Sequence, residues 1–424
     1  MMRQPYSIAI AMRYLRARSK NTFISFISAV SMLGIALSVS VLIVVMAVVN
    51  GFESELEQRI LSVVPDAMLY GLGAADTRAP LNDWQGLRDE ALKNEDIVAA
   101  APFVEGAGMA QAGDELLQVR VRGVDVELER RITSLSEQIV DGSFEGLADS
   151  WSIVIGRALA DELGIGVGEQ LRLRVPEFRR TLAGAFNTYR DFTVVGVFDV
   201  GMSEFDRGLV LINFNDATRL YRTRGLASGL SLTVDDIYSA GRILVDFGTP
   251  MTRVFNEGYV PETWDRRYRN IFESITLTKL ILFVILSLVM AIAVFNIVST
   301  LVMVVREKRG DIAILRSIGS SPREILNIFV AQGTTIGVIG VLAGLVLGLI
   351  LVVSLGTVVG WIEAAFAVDL LSADIYPIGD LPVDARIGEI AQICVLALVM
   401  SVLATIYPAL RAAWQPPAEA LRNE

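Results

Sequence analysis

Residues 306–325 read REKRGDIAILRSIGSSPREI, a charged island with eight charged side chains in twenty positions. The runs on either side, 280–305 and 325–362, carry none. A hydrocarbon core about 30 Å thick takes roughly 20 helical residues, so each run can cross it and the island lies in water at one face. Two more uncharged runs, 21–52 and 390–410, meet the same test. The apolar part of the first, 23–49, is longer than a signal-peptide core and no A-x-A-type site closes it. It reads as a retained anchor.

Lys and Arg in the short connecting segments set the orientation. The first twenty residues carry Arg3, Arg13, Arg16, Arg18 and Lys20 with no acid, and the island carries Arg306, Lys308, Arg309, Arg316 and Arg323. Segment 363–389 has only Arg386 against six acids. Both termini and the island are therefore expected in the cytoplasm, and 363–389 outside. The long segment 53–279 is outside too, with 24 basic against 36 acidic residues. That balance argues against nucleic acid or an anionic membrane surface as its main partner. Residues 5–20, PYSIAIAMRYLRARSK, alternate apolar and basic groups. They read either as an amphipathic helix on lipid headgroups or as a plain positive flank.

The fold class expected is an integral membrane α-helical protein with four transmembrane helices. A large α+β domain is inserted between the first and second. Along the chain this gives 1–20 as the cytoplasmic helix, 21–52 as the first span, and 53–279 as the outer domain. The second span (280–305), the island (306–325) and the third span (325–362) follow. The outer loop (363–389), the fourth span (390–410) and a cytoplasmic tail (411–424) complete it. Within the domain, LLQVRVRGVD (116–125) and DFTVVGVFDV (191–200) alternate as strands do. SIVIGRALADELGIGVGEQLRLRV (152–175) reads as strand, helix, glycine turn, strand. Gly164, Gly166 and Gly168 are expected to supply its positive-φ positions.

Composition excludes several chemistries. There is no His and one Cys, Cys394, so no internal disulfide, no Ser-His or Cys-His catalysis and no ordinary zinc site is available. The glycines at 164–168 lack the Lys and spacing of a phosphate loop, and no Lys follows G-x-x-x-x-G anywhere. Inside the spans, Gly333 and Gly337, then Gly340, Gly344 and Gly348, recur at intervals that allow close helix approach. Packing within the chain is the favoured reading, a seam with a second subunit the other. Asn296 lies deep in the second span, for either a hydrogen bond to a neighbouring helix or a polar cavity.

The island has internal order. Ile312, Leu315 and Ile318 recur at helical spacing with Ile314 beside them, while Arg309, Asp311 and Arg316 take the other faces. Gly319 suits the end of that helix. Ser321, Pro322 and Glu324 then form a capping box that starts the next. Such a helix can dock into a partner groove or lie in the lipid interface. No span carries an ionisable residue to relay protons or ions, so energy for any work must come from another chain.

The order of one span, an outer domain and three spans resembles the MacB-like class of ABC permeases. Within it the chain resembles the LolC/LolE lipoprotein-releasing family. MRYLRAR (12–18), NGFESEL (50–56), FNIVSTLVM (295–303), GDIAILRSIG (310–319) and YPALRAAWQPPAEALR (407–422) carry the likeness. It implies a bacterial inner-membrane permease, without catalytic residues, metal or bound cofactor of its own. Its partners would be a second permease, paralogue or same chain, and two LolD-like cytoplasmic ATPases holding ATP and Mg. It would pass lipoproteins from the outer leaflet to a LolA-like periplasmic chaperone.

The same resemblance makes the island a coupling helix. Ile312, Leu315 and Ile318 would sit in the ATPase groove, with Arg309, Asp311 and Arg316 fixing register. Asn296 would line the cavity for the lipid anchor. Pro176–Asp191 matches the loop that grips the chaperone, through Pro176, Phe178, Arg179, Arg180, Phe186 and Arg190; an ordinary hairpin loop is the other reading. That segment has proline only at its start, and LLSADIYPIGDLP (370–382) looks closer to LolE, so the paralogue stays open. Two alternatives remain. One is a MacB-like or FtsX-like subunit for efflux or signalling without lipoprotein transfer; the other is a membrane-anchored enzyme, for which no spacing suggests a site.

Overall fold

The computed structural model describes residues 22–73, 77–175, 188–366 and 381–414. The chain divides into two compact units, each taken by itself: Glu55–Phe272, and the remainder, up to Ser54 and from Glu273 onward.

Among the described residues, four helices are long and apolar enough to cross a membrane. They are α1 (Thr22–Val63), α2 (Arg269–Glu307), α4 (Pro322–Phe366) and α5 (Ile387–Ala413), with the short α3 (Arg309–Ser317) between α2 and α4. Two expected boundaries move. The first helix continues past Phe52 through ESELEQR, and the second starts at Arg269 rather than at 280. Glu, Gln, Leu and Arg are good helix formers, so a charge marks where hydrocarbon ends and not where the helix does. The third run is one unbroken helix of 45 residues, about 68 Å at 1.5 Å per residue.

The glycines of α4 explain how these helices pack. A Cβ at Gly333 or Gly337 would overlap Thr405 or Ser401 of α5. At Gly340, Gly344 and Gly348 it would press on Ile35, on Ala36 and Val39, and on Ile43 of α1. One face of α4 therefore meets α5 and another meets α1, which is the packing-within-the-chain reading. Ile35, Val39, Leu42, Met290, Ile297, Leu301 and Phe329 fill the core between the helices. Ser31 and Thr300 share a buried hydroxyl–hydroxyl hydrogen bond of 3.0 Å between α1 and α2.

Among the described residues, the Glu55–Phe272 unit is built on one mixed sheet of eleven strands. These are β1 (Ala67–Leu72), β2 (Arg78–Ala79), β3 (Ile97–Ala112), β4 (Glu115–Val124), β5 (Ile139–Gly142) and β6 (Ser152–Gly156). Then come β7 (Gln170–Val175), β8 (Thr188–Phe198), β9 (Leu209–Asn213), β10 (Gly229–Val234) and β11 (Tyr259–Thr263). The pairing closes on itself: β3 to β4, β4 to β9, β9 to β6, β6 to β8, β8 to β7 and β7 back to β3. A closed ring leaves those strands no open edge. Val121, Ile153, Leu171, Phe192, Val194 and Ile212 share one core there. The other end of β3 carries a wing, β10–β1–β11, covered by apolar residues of the helices Trp84–Ala91 and Ala240–Phe255.

The expected strands at 116–125, 152–156 and 170–175 are present, and the helix Arg157–Leu163 ends at Gly164 (φ +62°). Gly168 also has positive φ, whereas Gly166 does not. The last four residues of the segment expected as a loop over 176–191 belong to a strand. β8 starts at Thr188, placing Arg190 opposite Leu173 in the ladder, its guanidinium 5.0 Å from the centre of the Trp151 ring. Pro176, Phe178, Arg179, Arg180 and Phe186 lie outside the described residues, as do the 1–20 helix and most of the tail.

Substituting Gly337→Leu should overpack the α4–α5 contact at a cost of about 1–3 kcal/mol. It should lower the melting temperature of the detergent-purified protein. Gly356→Leu, where a Cβ meets nothing within 4 Å, should leave the melt where it was.

Candidate functional site

Two caps set back to back hold the island. At the end of α3 the Ser320 N–H donates to Leu315 O (3.0 Å) and the Gly319 N–H to Arg316 O (3.1 Å), with Gly319 at φ +111°. That is a Schellman pair, which satisfies carbonyls the helix end leaves open. One residue later the Ser321 N–H donates to the Glu324 carboxylate at 2.8 Å, and the Glu324 N–H to Ser321 Oγ at 3.3 Å. The capping box expected from SPRE is there. Lys308 pairs with Asp311 at 2.9 Å, and Arg316 donates to Ala413 O at 3.3 Å, tying α3 to the end of α5.

Burial corrects the expected docking face. Ile312 and Ala313 are buried among the membrane helices and Leu315 packs against the same core, so Ile312 and Leu315 cannot fill a groove on another protein without leaving their own. The apolar groups that α3 offers outward are Ile314, 52 % exposed, and Ile318, 78 % exposed. With Asp311 they stand at i, i+3 and i+7, one helical face. Arg309 is exposed, and Arg316 is half-buried. Of the expected docking groups Ile318 is exposed, whereas Ile312 and Leu315 turn into the helical core and Ile314 stands outside in their place.

Asn296 is exposed on α2, in a strip with Ile292, Phe295 and Ser299. Among the described residues its side-chain amide has no hydrogen-bond partner; only its carbonyl is used, by Thr300 Oγ1 at 2.8 Å. An amide turned to hydrocarbon without a partner is costly, so this strip calls for protein or water beside it.

A second cluster lies at the opposite ends of the membrane helices and gives NGFESEL its structure. Glu53 of α1 pairs with Lys279 of α2 and, at 3.0 Å, with Arg386 just before α5. Arg386 also pairs with Asp384 (3.0 Å), which accepts from Ser54 Oγ at 3.3 Å. Asn50 is buried and its Nδ2 donates to Glu389 at 2.6 Å. The Asp384 N–H donates to Ala47 O (2.9 Å), and a Cβ at Gly51 would overlap the Pro382 backbone. Three helices are thus clamped by charge at one face. Sequence reading missed this cluster; its only signal was charge just outside each apolar run.

The third polar centre is in the Glu55–Phe272 unit. Glu105 of β3 accepts from Arg267 at 2.8 Å and lies 3.5 Å from Arg120, while Arg267 also reaches Glu262 (3.3 Å) and the Tyr70 hydroxyl (3.2 Å). Burial pushes the Glu105 carboxyl up, but Arg267, Arg122 and Arg120 outweigh it and hold it below the ordinary value. Burial, with Glu105 nearby, drives the Tyr70 hydroxyl up to about 12. Around this centre Ile60, Val63 and Val64 from α1 and Trp264, Tyr268 and Phe272 share a core with the sheet. Among the described residues no group of three or more Cys, Asp or Glu is placed to hold a metal.

Residues 28–245 match the MacB-like periplasmic core domain, and 283–417 the FtsX-like permease C-terminal domain. The class is therefore a multi-pass membrane permease with a periplasmic-type α+β domain after its first helix. Over all 424 residues the chain is 37 % identical to the lipoprotein-releasing system transmembrane protein LolC of Xylella fastidiosa, covering 100 % of both. It is 32 % identical to LolE of Haemophilus influenzae over 98 % of each. Among solved structures it is similar to the periplasmic region of MacB from Actinobacillus actinomycetemcomitans, at 11 % identity and TM-score 0.35, covering 51 % of this chain and 97 % of that one. The chain belongs to the LolC/LolE family of lipoprotein-releasing system transmembrane proteins.

Glu105→Gln should leave the half-buried Arg267 with Glu262 as its remaining carboxylate partner, at a cost of about 1–3 kcal/mol near neutral pH. Because the folded Glu105 value is lowered, its stabilisation is complete above the unfolded value of 4.5 and is lost as pH falls through the folded one. Thermal melts from pH 7 to pH 3 should show that acid decline in the parent and a flatter profile in the variant.

Proposed function

We propose that this chain is the permease subunit of an ATP-driven transporter that extracts lipoproteins from the outer leaflet of the inner membrane. It passes them to a periplasmic carrier bound for the outer membrane, and ATP with Mg is hydrolysed on a separate LolD-like pair of subunits. The carrying observation is the full-length similarity to lipoprotein-releasing system transmembrane proteins of both named types.

The geometry supports a division of labour. α3 is the coupling helix, with Ile314 and Ile318 as its contact groups and Arg309 and Asp311 beside them, on the cytoplasmic face with both termini. Ile312, Ala313 and Leu315 root it among the membrane helices, so a push on the outward face moves α2 and α4. The strip of α2 bearing Asn296 faces the second permease and the cavity for the lipid anchor. The carrier contact falls to Pro176, Phe178, Arg179, Arg180 and Phe186, with Arg190 at the neighbouring strand.

Ile318→Asp should strip the ATPase from the purified complex and cut reconstituted lipoprotein release at least tenfold, while the isolated chain melts normally. Leu315→Asp should instead lower the melting temperature, since it buries a carboxylate in the helical core. An Ile318→Asp complex that keeps its ATPase and releases lipoprotein at the parent rate would remove α3 from the coupling role. A parent complex that hydrolyses ATP yet releases no lipoprotein to a soluble carrier would point to efflux or signalling instead.

A further inference from the structure

At the island's end of the membrane helices lies a half-open cleft of about 650 Å³. Arg316 of α3, Arg323 and Leu326 of α4, and Leu410, Ala413 and Trp414 at the end of α5 line it. Nothing in the coupling role uses it, because the outward face of α3 is the Asp311–Ile314–Ile318 stripe. Its chemistry is divided between two cations and an apolar floor. Arg323 is exposed and, among the described residues, makes no ion pair. Arg316 is fixed by its bond to Ala413 O. Trp414, 81 % exposed, and Leu410 stand where a membrane helix meets water, the level at which Trp side chains settle.

The start of α4 does not hold an anion by itself. Pro322 has no N–H, the Glu324 N–H is taken by Ser321 Oγ, and the Glu324 carboxylate is turned onto the Ser321 N–H. An anion in the cleft is therefore held chiefly by the guanidinium groups. A water-soluble anion would leave Leu326, Leu410 and Trp414 unused, and an apolar helix would leave the Arg323 charge unused. A lipid with a phosphate head and hydrocarbon tails uses both, as basic pockets between membrane helices do.

We propose that this cleft is a binding site for an anionic phospholipid. The phosphate sits between Arg316 and Arg323, one acyl chain follows Leu326 and Leu410, and Trp414 lies beside the headgroup. The site is separate from the outward Asp311–Ile314–Ile318 stripe of α3.

The test is native mass spectrometry of the full chain in neutral detergent, titrated with phosphatidylglycerol or with phosphatidylcholine of the same acyl chains. The parent should retain phosphatidylglycerol about tenfold more readily, from two guanidinium contacts. Arg323→Gln, which breaks no ion pair among the described residues, should remove most of that preference, as should the Arg316→Gln/Arg323→Gln pair. Arg306→Gln, the same charge change outside the cleft, should keep it. The proposal is overturned if the parent shows no preference, if Arg323→Gln binds like the parent, or if Arg306→Gln loses as much. It is overturned equally if millimolar inorganic phosphate displaces the lipid, which would mark a small-anion site. Two other occupants would show themselves: lipid bound only after residues 415–424 are removed assigns the cleft to the chain's own tail, and lipid expelled by the ATPase assigns it to that partner.

Discussion

Inside hydrocarbon an apolar side chain gains nothing by leaving lipid for protein, so membrane helices hold together by fit. In this chain the fit depends on α4. Its rows of glycine bring its backbone against α5 on one side and α1 on the other. Every other feature of the membrane unit presumes that registration. Glu53, Lys279 and Arg386 can meet only if α1, α2 and α5 end at the same level. Arg316 can reach the last turn of α5 only if α4 holds the two side by side.

Much of this was legible because membrane solvent and helix ends impose strict rules. Uncharged length located the spans, and the period-four glycines foretold a tightly packed helix. The SSPRE stretch gave the capping box to the residue, since Ser, Pro and Glu at those offsets have few other uses. In the domain, alternation found the strands expected at 116–125 and 191–200, which run Glu115–Val124 and Thr188–Phe198, and the Gly164 turn followed from the helix ending before it.

What stayed hidden shares one physical cause: it depends on partners far apart in sequence. Nothing local ties Glu105 to Arg267, or Glu53 to Arg386, and single charges near a span end look like topology markers. Nor does alternation show that β7 returns to β3 and closes a ring, since each strand reads the same whether its edge is open or paired. That Leu315 packs inward and Ile314 stands outward was hidden for a related reason. An amphipathic helix with isoleucine on two stripes has no unique inside until its neighbours are placed.

The junction between α3 and α4 has a consequence for how such chains can diverge. Leu315, Arg316, Gly319 and Ser320 close one helix and Ser321 and Glu324 open the next, with no spare residue between them. One residue gained or lost here breaks a cap. If α4 absorbed the change within its own length, the helix would turn by about 100° and carry its glycines away from α1 and α5. Insertions and deletions should therefore be purged from this connector in every descendant lineage. The two caps thus fix the connector's length more tightly than they fix the identity of the side chains around it.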